Sequence, residues 1–351
     1  MKHTEAIELL KQLISIPSLS KEEKGTADAI ESFLKKNGVD VKRHLNNVWA
    51  VNAHFNKDKP TILLNSHHDT VKPNAGYIKN PHQAIEEDGK LFGLGSNDAG
   101  GALVSLLATF LHFYDKPGLA YNLIYGATAE EEISGANGIV SLLPLLGGID
   151  FAIVGEPTLM QLAIAEKGVV VIDCIAHGKS GHAAREEGVN AIYKAIEDIT
   201  WLKTYSFPKV SHLLGPVKMT VTIIKAGTQH NVIPDTCEFT VDVRVNENYT
   251  NEEVVEIMKK NVSCEVKPRS VRLKPSFIPE SHPIVIAGKK LGLKTYGSPT
   301  ISDRALMPFP SLKMGPGDSA RSHTADEFIY VKEITEGIDL YINMLNELLN
   351  V

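Results

Sequence analysis

The order of strand-like and helix-like segments is the feature that most restricts how this chain can fold. Up to about residue 165, short apolar runs alternate with amphipathic stretches of helical length. Such alternation predicts an α/β sheet with helices on both of its faces. Within this part, the stretch Ser20-Lys-Glu-Glu23 predicts a capping box at the start of the second helix.

The pattern changes near Lys167. We predict strands at 169–176, 217–224, 236–245 and 270–277, and helices at 190–203 and 250–262. Their order, β-α-β-β-α-β, is the ferredoxin-like arrangement, for which about 110 residues suffice. After Pro279, helices are predicted at 282–291 and 332–349. The simplest division is a discontinuous first domain, residues 1–166 and 278–351, with a second domain, residues 167–277, inserted into it.

Composition narrows the class of protein. The chain has 351 residues, of which 43% are hydrophobic and 22% charged, and a formal net charge of −6. A nucleic-acid partner is not expected, because such proteins show a basic face. The apolar runs have strand length, so no membrane span is expected, and the N-terminus lacks the apolar core of a signal peptide.

The cysteines indicate the compartment and limit the metal chemistry. Cys174, Cys237 and Cys264 lie far apart in alternating apolar segments. This predicts reduced core residues in a cytoplasmic protein and excludes a zinc site built on closely spaced cysteines. Any metal site must therefore use His, Asp and Glu.

Three consecutive glutamates, Glu130, Glu131 and Glu132, follow the apolar run 121–127. Carboxylates buried together are costly unless cations or protons compensate their charge. The trio therefore has two interpretations: a solvated first turn of a helix, where acids favour the helix dipole, or part of a cation site. The other motifs of the chain decide between them.

His67 and Asp69 are two residues apart on a predicted strand, so their side chains point to the same side. In that geometry His67 can bind a metal while Asp69 orients its surroundings. His68 points the other way, and we assign it a structural role. A lone His-x-Asp is common and is a weak signal by itself.

Asp98 lies in the small-residue segment Gly93–Gly101, which lacks the Lys-Ser/Thr ending of a phosphate loop. Small neighbours leave both carboxylate oxygens free to bridge two cations, which in paired sites lie about 3.5–4 Å apart. From this segment alone, an N-cap for the following helix explains Asp98 equally well.

Two further residues complete the pattern. Glu156 follows the predicted strand Phe151–Val154, a place where an acid is ordinarily a loop residue, and His323 follows a Gly-Pro-Gly loop ahead of the last helix. Together the motifs supply two histidines and several carboxylates at the mouth of one sheet, where α/β proteins place ligands. Nitrogen and oxygen donors without thiolate suit Zn²⁺ and also accept Co²⁺ or Mn²⁺.

In this order the motifs resemble the dinuclear zinc deacylase and exopeptidase family, which includes acetylornithine deacetylase, succinyl-diaminopimelate desuccinylase, aminoacylase and glutamate carboxypeptidase. The resemblance covers essentially the whole chain, and Gly315–Gly317 with Ser322–Phe328 look most like the acetylornithine deacetylase branch. It implies a mixed-sheet catalytic domain covered by helices, an inserted ferredoxin-like dimerisation (lid) domain, and two Zn²⁺ per subunit, with Co²⁺ as an acceptable substitute.

The resemblance also implies roles for individual residues. His67 and Glu156 would hold one zinc, Glu132 and His323 the other, with Asp98 bridging. Glu131 would be the general base, taking a proton from an activated water and passing it to the leaving amine. Asp69 would support the ligands, and Glu130, where relatives commonly carry Asp, would be supporting or solvated.

In the inserted domain, the segment around His182 resembles the one whose histidine reaches the partner subunit's active site and stabilises the oxyanion. Asn231 and Arg244 lie in segments that resemble those binding the carboxylate end of the substrate. Without the resemblance, His182 would be an ordinary loop histidine and Arg244 part of a salt bridge on a strand face. The resemblance therefore predicts a homodimer formed through the inserted domain.

The predicted activity is hydrolysis of an N-acyl amino acid, with acetyl- or succinyl-ornithine in arginine biosynthesis as the expected substrate. Citrulline or another amino acid stays open. Arg304, Lys313 and Arg321 are candidates to pair with a succinyl carboxylate. The alternatives are a di- or tripeptidase or carboxypeptidase on the same scaffold and, from a different class, a catalytically silent metal-binding protein.

Overall fold

The structure is a computed structural model and describes residues 3–349. The ends of the predicted first domain, Met1, Lys2, Asn350 and Val351, lie outside the described residues. The helices are α1 His3–Ile14, α2 Lys24–Lys36, α3 Gly101–Phe113, α4 Ile139–Leu146, α5 Ala191–Thr204, α6 Asn251–Asn261, α7 Pro283–Lys290 and α8 Val331–Leu349.

The strands are short except in the middle of the chain. They are β1 Val41–His44, β2 Asn47–Val51, β3 Thr61–His67, β4 Ile85–Glu87, β5 Lys90–Phe92, β6 Asn122–Thr128, β7 Phe151–Val154, β8 Leu162–Glu166, β9 Gly168–His177, β10 Gly181–His182, β11 Lys218–Ala226, β12 Val232–Ile233, β13 Thr236–Val245, β14 Glu265–Pro268, β15 Ser276–Phe277, β16 Thr295–Ser298, β17 Ser311–Lys313 and β18 Phe328–Tyr330.

The chain divides into two compact units. The first runs up to Ile164 and includes Ile278–Tyr296 and the chain from Ser302 onward, and the second comprises Ala165–Phe277 and Gly297–Ile301. The first unit consists of helices and a mixed sheet, in agreement with the predicted α/β class. The second unit is an α+β structure.

The sheet of the first unit has the strand order β1-β2-β6-β3-β7-β17-β8. β3 is parallel to both β6 and β7, and β17 is parallel to β7, whereas β1, β2 and β8 are antiparallel to their neighbours. Every residue of β3 and β6 is buried, as expected for central strands covered on both faces. α3 is buried around nearly its whole circumference, which is typical of a helix inside a core.

The sheet of the second unit has the order β11-β13-β9-β14, and all its pairings are antiparallel. With α5 and α6 this is the predicted ferredoxin-like order. The core lies on one face only, because residues of β9 and β13 alternate between buried and more exposed. β11 is an edge strand, and its Ile223 and Ile224 side chains are about half exposed.

Two sequence predictions about elements are wrong. The fourth strand of the inserted domain is β14, Glu265–Pro268, not 270–277; of that range only Ser276 and Phe277 form a strand, β15, which pairs with β8. The capping box at α2 is also absent: the N-cap is Glu23 without a side-chain cap, and the Ser20 hydroxyl instead donates to Asp69 Oδ2 at 2.7 Å. A tertiary contact has replaced the local one.

Candidate metal centre

Three neighbouring parallel strands of the first unit end at the same edge of the sheet. β3 ends at His67, β6 ends shortly before Glu131, and β7 ends shortly before Glu156. Since β6, β3 and β7 are adjacent and parallel, their carboxyl ends bring these side chains together at the edge where α/β sheets place ligands.

His67 is the centre of the arrangement. Its Nε2 atom lies 3.4 Å from Asp98 Oδ1, 3.8 Å from Glu156 Oε1 and 3.9 Å from Glu131 Oε2. Among the residues that the structure describes, this nitrogen is one of the few buried polar side-chain atoms without a hydrogen bond. The other ring nitrogen, Nδ1, lies 3.0 Å from the backbone carbonyl oxygen of Asp69. That contact fixes the ring so that Nε2 points at the carboxylates.

His323 approaches the same carboxylates from a different loop. Its Nε2 atom lies 3.1 Å from Glu132 Oε2 and 3.5 Å from Asp98 Oδ2. Asp98 therefore directs one carboxylate oxygen towards each histidine. Asp98 is not the N-cap of α3, which begins three residues later with Gly100 at the cap position.

Glu131 and Glu132 lie in a turn after β6, and the next helix, α4, begins only at Ile139. The interpretation of the trio as a solvated helix start is therefore wrong. Asp69 holds this turn: its Oδ1 accepts the backbone N–H of Glu131 at 3.0 Å and its Oδ2 accepts that of Glu132 at 3.2 Å. Asp69 itself follows the end of β3 rather than lying on it.

Glu130 is buried, not solvated, and it organises the loop. Its backbone N–H donates to Glu23 Oε1 at 3.2 Å, and its carboxylate accepts the backbone N–H of Asn137 at 3.1 Å and the Asn137 side-chain amide at 2.9 Å. Of its two predicted alternatives, the supporting role is the one that the contacts favour.

The charges of the cluster move several pKa values. Burial raises the pKa of Glu131 well above its usual value, and the charges of Glu156 and Asp303 add to this effect. Burial by itself lowers the pKa of His67, but the charge of Glu131 and the contacts with Asp69 and Asp98 outweigh it, so that the pKa lies well above normal. The contact with Glu132 raises the pKa of His323 to about 9.

His68 has the structural role expected from its direction. It is buried, with Nδ1 2.9 Å from Thr26 Oγ1 and Nε2 3.0 Å from the backbone carbonyl oxygen of Asn46. Burial lowers its pKa to about 4, so the ring is neutral near pH 7.

Three further predicted residues belong to the second unit. His182 and Asn231 are exposed neighbours on the two-stranded ribbon of β10 and β12, where the Ala183 N–H donates to the Asn231 carbonyl oxygen at 3.0 Å. Arg244 makes a two-pronged contact with Asp242, at 2.7 Å from Nε and 3.1 Å from Nη2. That is the strand-face salt bridge of the alternative interpretation, and a substrate carboxylate would have to compete with it.

The three basic residues predicted to pair with a succinyl carboxylate are otherwise engaged. Arg304 is buried and donates to the backbone carbonyl oxygens of Ala163 and Ile164. Lys313 is buried in β17. Both terminal nitrogens of Arg321 bind Glu333, at 2.7 and 2.8 Å. A succinyl carboxylate would have to compete with these contacts, so the pairing stays a prediction that the described geometry does not favour.

Two buried acids near the cluster escaped the sequence analysis. Asp303 Oδ2 accepts hydrogen bonds from Asn65 Nδ2 at 2.9 Å and Thr128 Oγ1 at 2.8 Å, and Glu327 accepts three backbone N–H groups. The available signal was weak. Asp303 is next to the candidate Arg304, and Glu327 lies within the segment Ser322–Phe328, which the sequence analysis singled out without giving this acid a role.

The donors fit divalent cations. Ligand atoms of His67, Glu131 and Glu156 all lie within 4.8 Å of one another, and so do those of His67, Asp98 and Glu132. Several carboxylates buried beside an imidazole nitrogen without a hydrogen bond cost free energy, unless cations or protons compensate the negative charge of the carboxylates. Imidazole and carboxylate without thiolate are donors that Zn²⁺, Co²⁺ and Mn²⁺ accept.

Comparisons with known proteins find one matching domain and several relatives. Residues 164–269 match the family model of the peptidase dimerisation domain, M20_dimer. The chain is 29% identical over 360 residues to an acetylornithine deacetylase from Proteus mirabilis, covering 92% of this chain and 91% of that protein. It is 28% identical over 300 residues to a succinyl-diaminopimelate desuccinylase from Orientia tsutsugamushi, with 77% of each covered.

The fold is similar to that of a solved dinuclear metal-binding peptidase of the M20 family from Bacillus subtilis. The TM-score is 0.76 at 18% identity, covering 99% of this chain and 98% of the other. Among residues 3–349, no helix has the length and apolar character needed to cross a membrane. The chain thus contains a segment that matches the peptidase dimerisation domain, is similar in sequence to a deacetylase and a desuccinylase, and shares the fold of a solved M20 peptidase.

Proposed function

We propose that this protein is a dinuclear metal-dependent amide hydrolase that removes the acyl group from an N-acyl amino acid. The observation that carries the proposal is the cluster of two histidines and several carboxylates at one sheet edge, with Asp98 facing both histidines. The Glu132 carboxylate is 3.1 Å from His323 Nε2, whereas the Glu131 carboxylate is 3.9 Å from His67 Nε2 on the other side. One side chain can hold a cation while its neighbour acts on water.

The proposed ligands are His67 and Glu156 for one zinc, Glu132 and His323 for the other, and Asp98 as the bridge between them. Bound cations would polarise the amide carbonyl and acidify a water. Glu131 accepts the proton of that water as its oxygen attacks the carbonyl carbon, and delivers it to the nitrogen as the C–N bond breaks.

We further propose that the molecule is a homodimer formed through the second unit and that His182 stabilises the oxyanion in the partner's site. Asn231 and Arg244 would bind the carboxylate end of the substrate. The matched dimerisation domain supports the dimer. The proposed substrate is N2-acetyl- or N2-succinyl-ornithine, which would place the reaction in arginine biosynthesis, with Co²⁺ able to replace Zn²⁺.

A peptidase activity is the second candidate, because the solved protein of similar fold is named a peptidase. A panel of acetyl-ornithine, succinyl-ornithine, succinyl-diaminopimelate and unblocked di- and tripeptides separates the two. A deacylase hydrolyses the blocked amino acids and leaves unblocked peptides intact. A preparation with clearly fewer than two metals per chain and no activity after addition of Zn²⁺ or Co²⁺ would favour a silent metal-binding protein.

The test of the base is Glu131→Gln. We expect kcat to fall by a factor of about 10²–10⁴, the usual contribution of a positioned base, while zinc content measured by elemental analysis stays at the wild-type value. The exposed Glu22→Gln is the control and should retain full activity. Loss of zinc together with activity in Glu131→Gln would mean that the ligand and the base are exchanged within the pair.

A further inference from the structure

Glu327 is a buried carboxylate whose hydrogen bonds all go to the loop that carries Asp98. Its Oε1 accepts the backbone N–H groups of Asn97 at 2.8 Å and Asp98 at 2.9 Å, and its Oε2 accepts that of Gly95 at 3.3 Å. The side chain is 1% exposed. Three backbone N–H groups of one loop converge on this single side chain, so this acid fixes the course of the loop.

Glu327 also belongs to the segment that carries His323, four residues earlier in the chain. The two segments are joined at a second place, because Asn97 Oδ1 accepts the Asp318 N–H at 3.0 Å and Asn97 Nδ2 donates to the Asp318 carbonyl oxygen at 3.1 Å. The loop around Asp98 is therefore hydrogen-bonded to the His323 segment at two residues, Asp318 before the histidine and Glu327 after it. The side chains of Asp98 and His323 are 3.5 Å apart.

We propose that Glu327 is a positioning residue that sets the distance between Asp98 and His323 and thereby the affinity for the cation they share. The inference rests on the proposed dinuclear site and adds to it a residue that touches neither metal nor substrate. Outer partners of this kind typically change metal affinity by about 10- to 100-fold when they are replaced.

Glu327→Gln is the informative substitution because it keeps the size of the side chain. The amide oxygen can still accept from Asn97 and Asp98, but the amide NH₂ then faces the Gly95 N–H, donor against donor. The loop therefore loses one of its three hydrogen bonds to this side chain. Asp326→Asn is the matched control: this adjacent acid also accepts two backbone N–H groups, of Ile78 at 3.0 Å and Lys79 at 2.8 Å, but neither belongs to the Asp98 loop.

The experiment uses the full-length protein, stripped with a chelator and titrated with Zn²⁺ in competition with a chromophoric chelator. Visible absorption during titration with Co²⁺ reports the coordination geometry of the site formed by Asp98, Glu132 and His323. We expect Glu327→Gln to bind the cation held by Asp98, Glu132 and His323 about 10- to 100-fold less tightly than wild type, with a shifted Co²⁺ spectrum. Asp326→Asn should bind both cations like wild type. Thermal unfolding of the metal-free proteins measures the stability cost of the lost hydrogen bond, and Glu327→Gln should have a lower Tm than wild type. The Co²⁺ spectrum of the folded variant is the readout that a merely structural role would not change.

Glu327→Asp serves if the glutamine variant does not fold. Aspartate keeps the carboxyl group but withdraws it from the loop by one methylene. It should therefore also weaken binding of the cation that Asp98 and His323 share. Wild-type affinity for both cations in the folded variants, or an unchanged Co²⁺ spectrum, overturns the role of Glu327. A wild-type protein that binds fewer than two Zn²⁺ overturns the proposed function instead, so the two failures are distinguishable.

Discussion

Asp303 lies in the core behind the candidate metal centre, where its carboxylate is 3% exposed and is held by Asn65 and Thr128. Burial raises its pKa to about 6. In the unfolded chain an aspartate has its ordinary pKa of 3.8. The folded state therefore binds more protons between these two values, and this residue's contribution to stability is present below about pH 3.8 and is lost as the pH rises through about 6.

Asp303→Asn should consequently stabilise the metal-free protein at high pH. At pH 8 we expect its free energy of unfolding to exceed that of wild type by an amount on the order of 3 kcal/mol at most, since an amide needs no charge in the core. At pH 4 the difference should disappear. Urea unfolding in the presence of EDTA at both pH values measures it, with the exposed Asp58→Asn as control. A difference of the same size at pH 4 and pH 8 would show that titration of Asp303 is not its cause.

At the scale of elements, the turn after β6 depends on one side chain more than on local sequence preference. Residues 129–138 contain no helix or strand, yet Glu130 closes them by accepting two hydrogen bonds from Asn137, and the Gly135 N–H donates to the Glu130 carbonyl oxygen at 2.7 Å. A Cβ atom on Gly135 would lie 1.9 Å from Glu130 Oε2. Any side chain at position 135 would therefore clash with the Glu130 carboxylate.

Glu130→Ala should therefore lower the free energy of unfolding by about 3–6 kcal/mol, because two hydrogen bonds to a charged group are lost and each contributes roughly 1.5–3 kcal/mol. Activity should fall as well, since the same turn carries Glu131 and Glu132. Urea unfolding monitored by circular dichroism gives the stability. Glu22→Ala, on the exposed surface, should change it by less than about 0.5 kcal/mol. A loss in Glu130→Ala no larger than in this control would mean that the loop is held by other contacts.

At the scale of the whole molecule, the prediction concerns assembly. β11 is an edge strand with Ile223 and Ile224 about half exposed, and long edges with exposed apolar residues invite pairing with another chain. If His182 acts in the partner's site, mixing Glu131→Gln subunits with His182→Ala subunits should restore activity. Random exchange makes half of the dimers hybrids with one complete site each, so about a quarter of wild-type activity is expected.

The control adds Ile224→Lys to both variants. A lysine on the β11 edge should separate the subunits, which gel filtration detects, and the recovery should vanish with the dimer. No recovery in the mixture without Ile224→Lys, once subunit exchange is demonstrated by mass spectrometry, would contradict a role of His182 in the partner's site.

The sequence by itself determined the element order and the residues that the metal centre assembles. Strand and helix periods are local properties, so β13 was predicted at its observed bounds, and the β-α-β-β-α-β order predicted the second unit. His67, Asp98, Glu131, Glu132, Glu156 and His323 stood out because an acid or histidine at a strand end or in a tight loop is readable without a structure.

Only the tertiary structure decided which partner each polar side chain takes. Ser20 caps no helix because Asp69 competes for its hydroxyl, and Arg304 is buried against backbone carbonyls rather than held for a substrate. The roles of Asp303 and Glu327 were not predicted, because they depend on contacts with residues far away in the chain. No local sequence pattern encodes such contacts. Periodicity fixes how a segment folds, whereas burial and hydrogen bonding between distant segments fix what its side chains do.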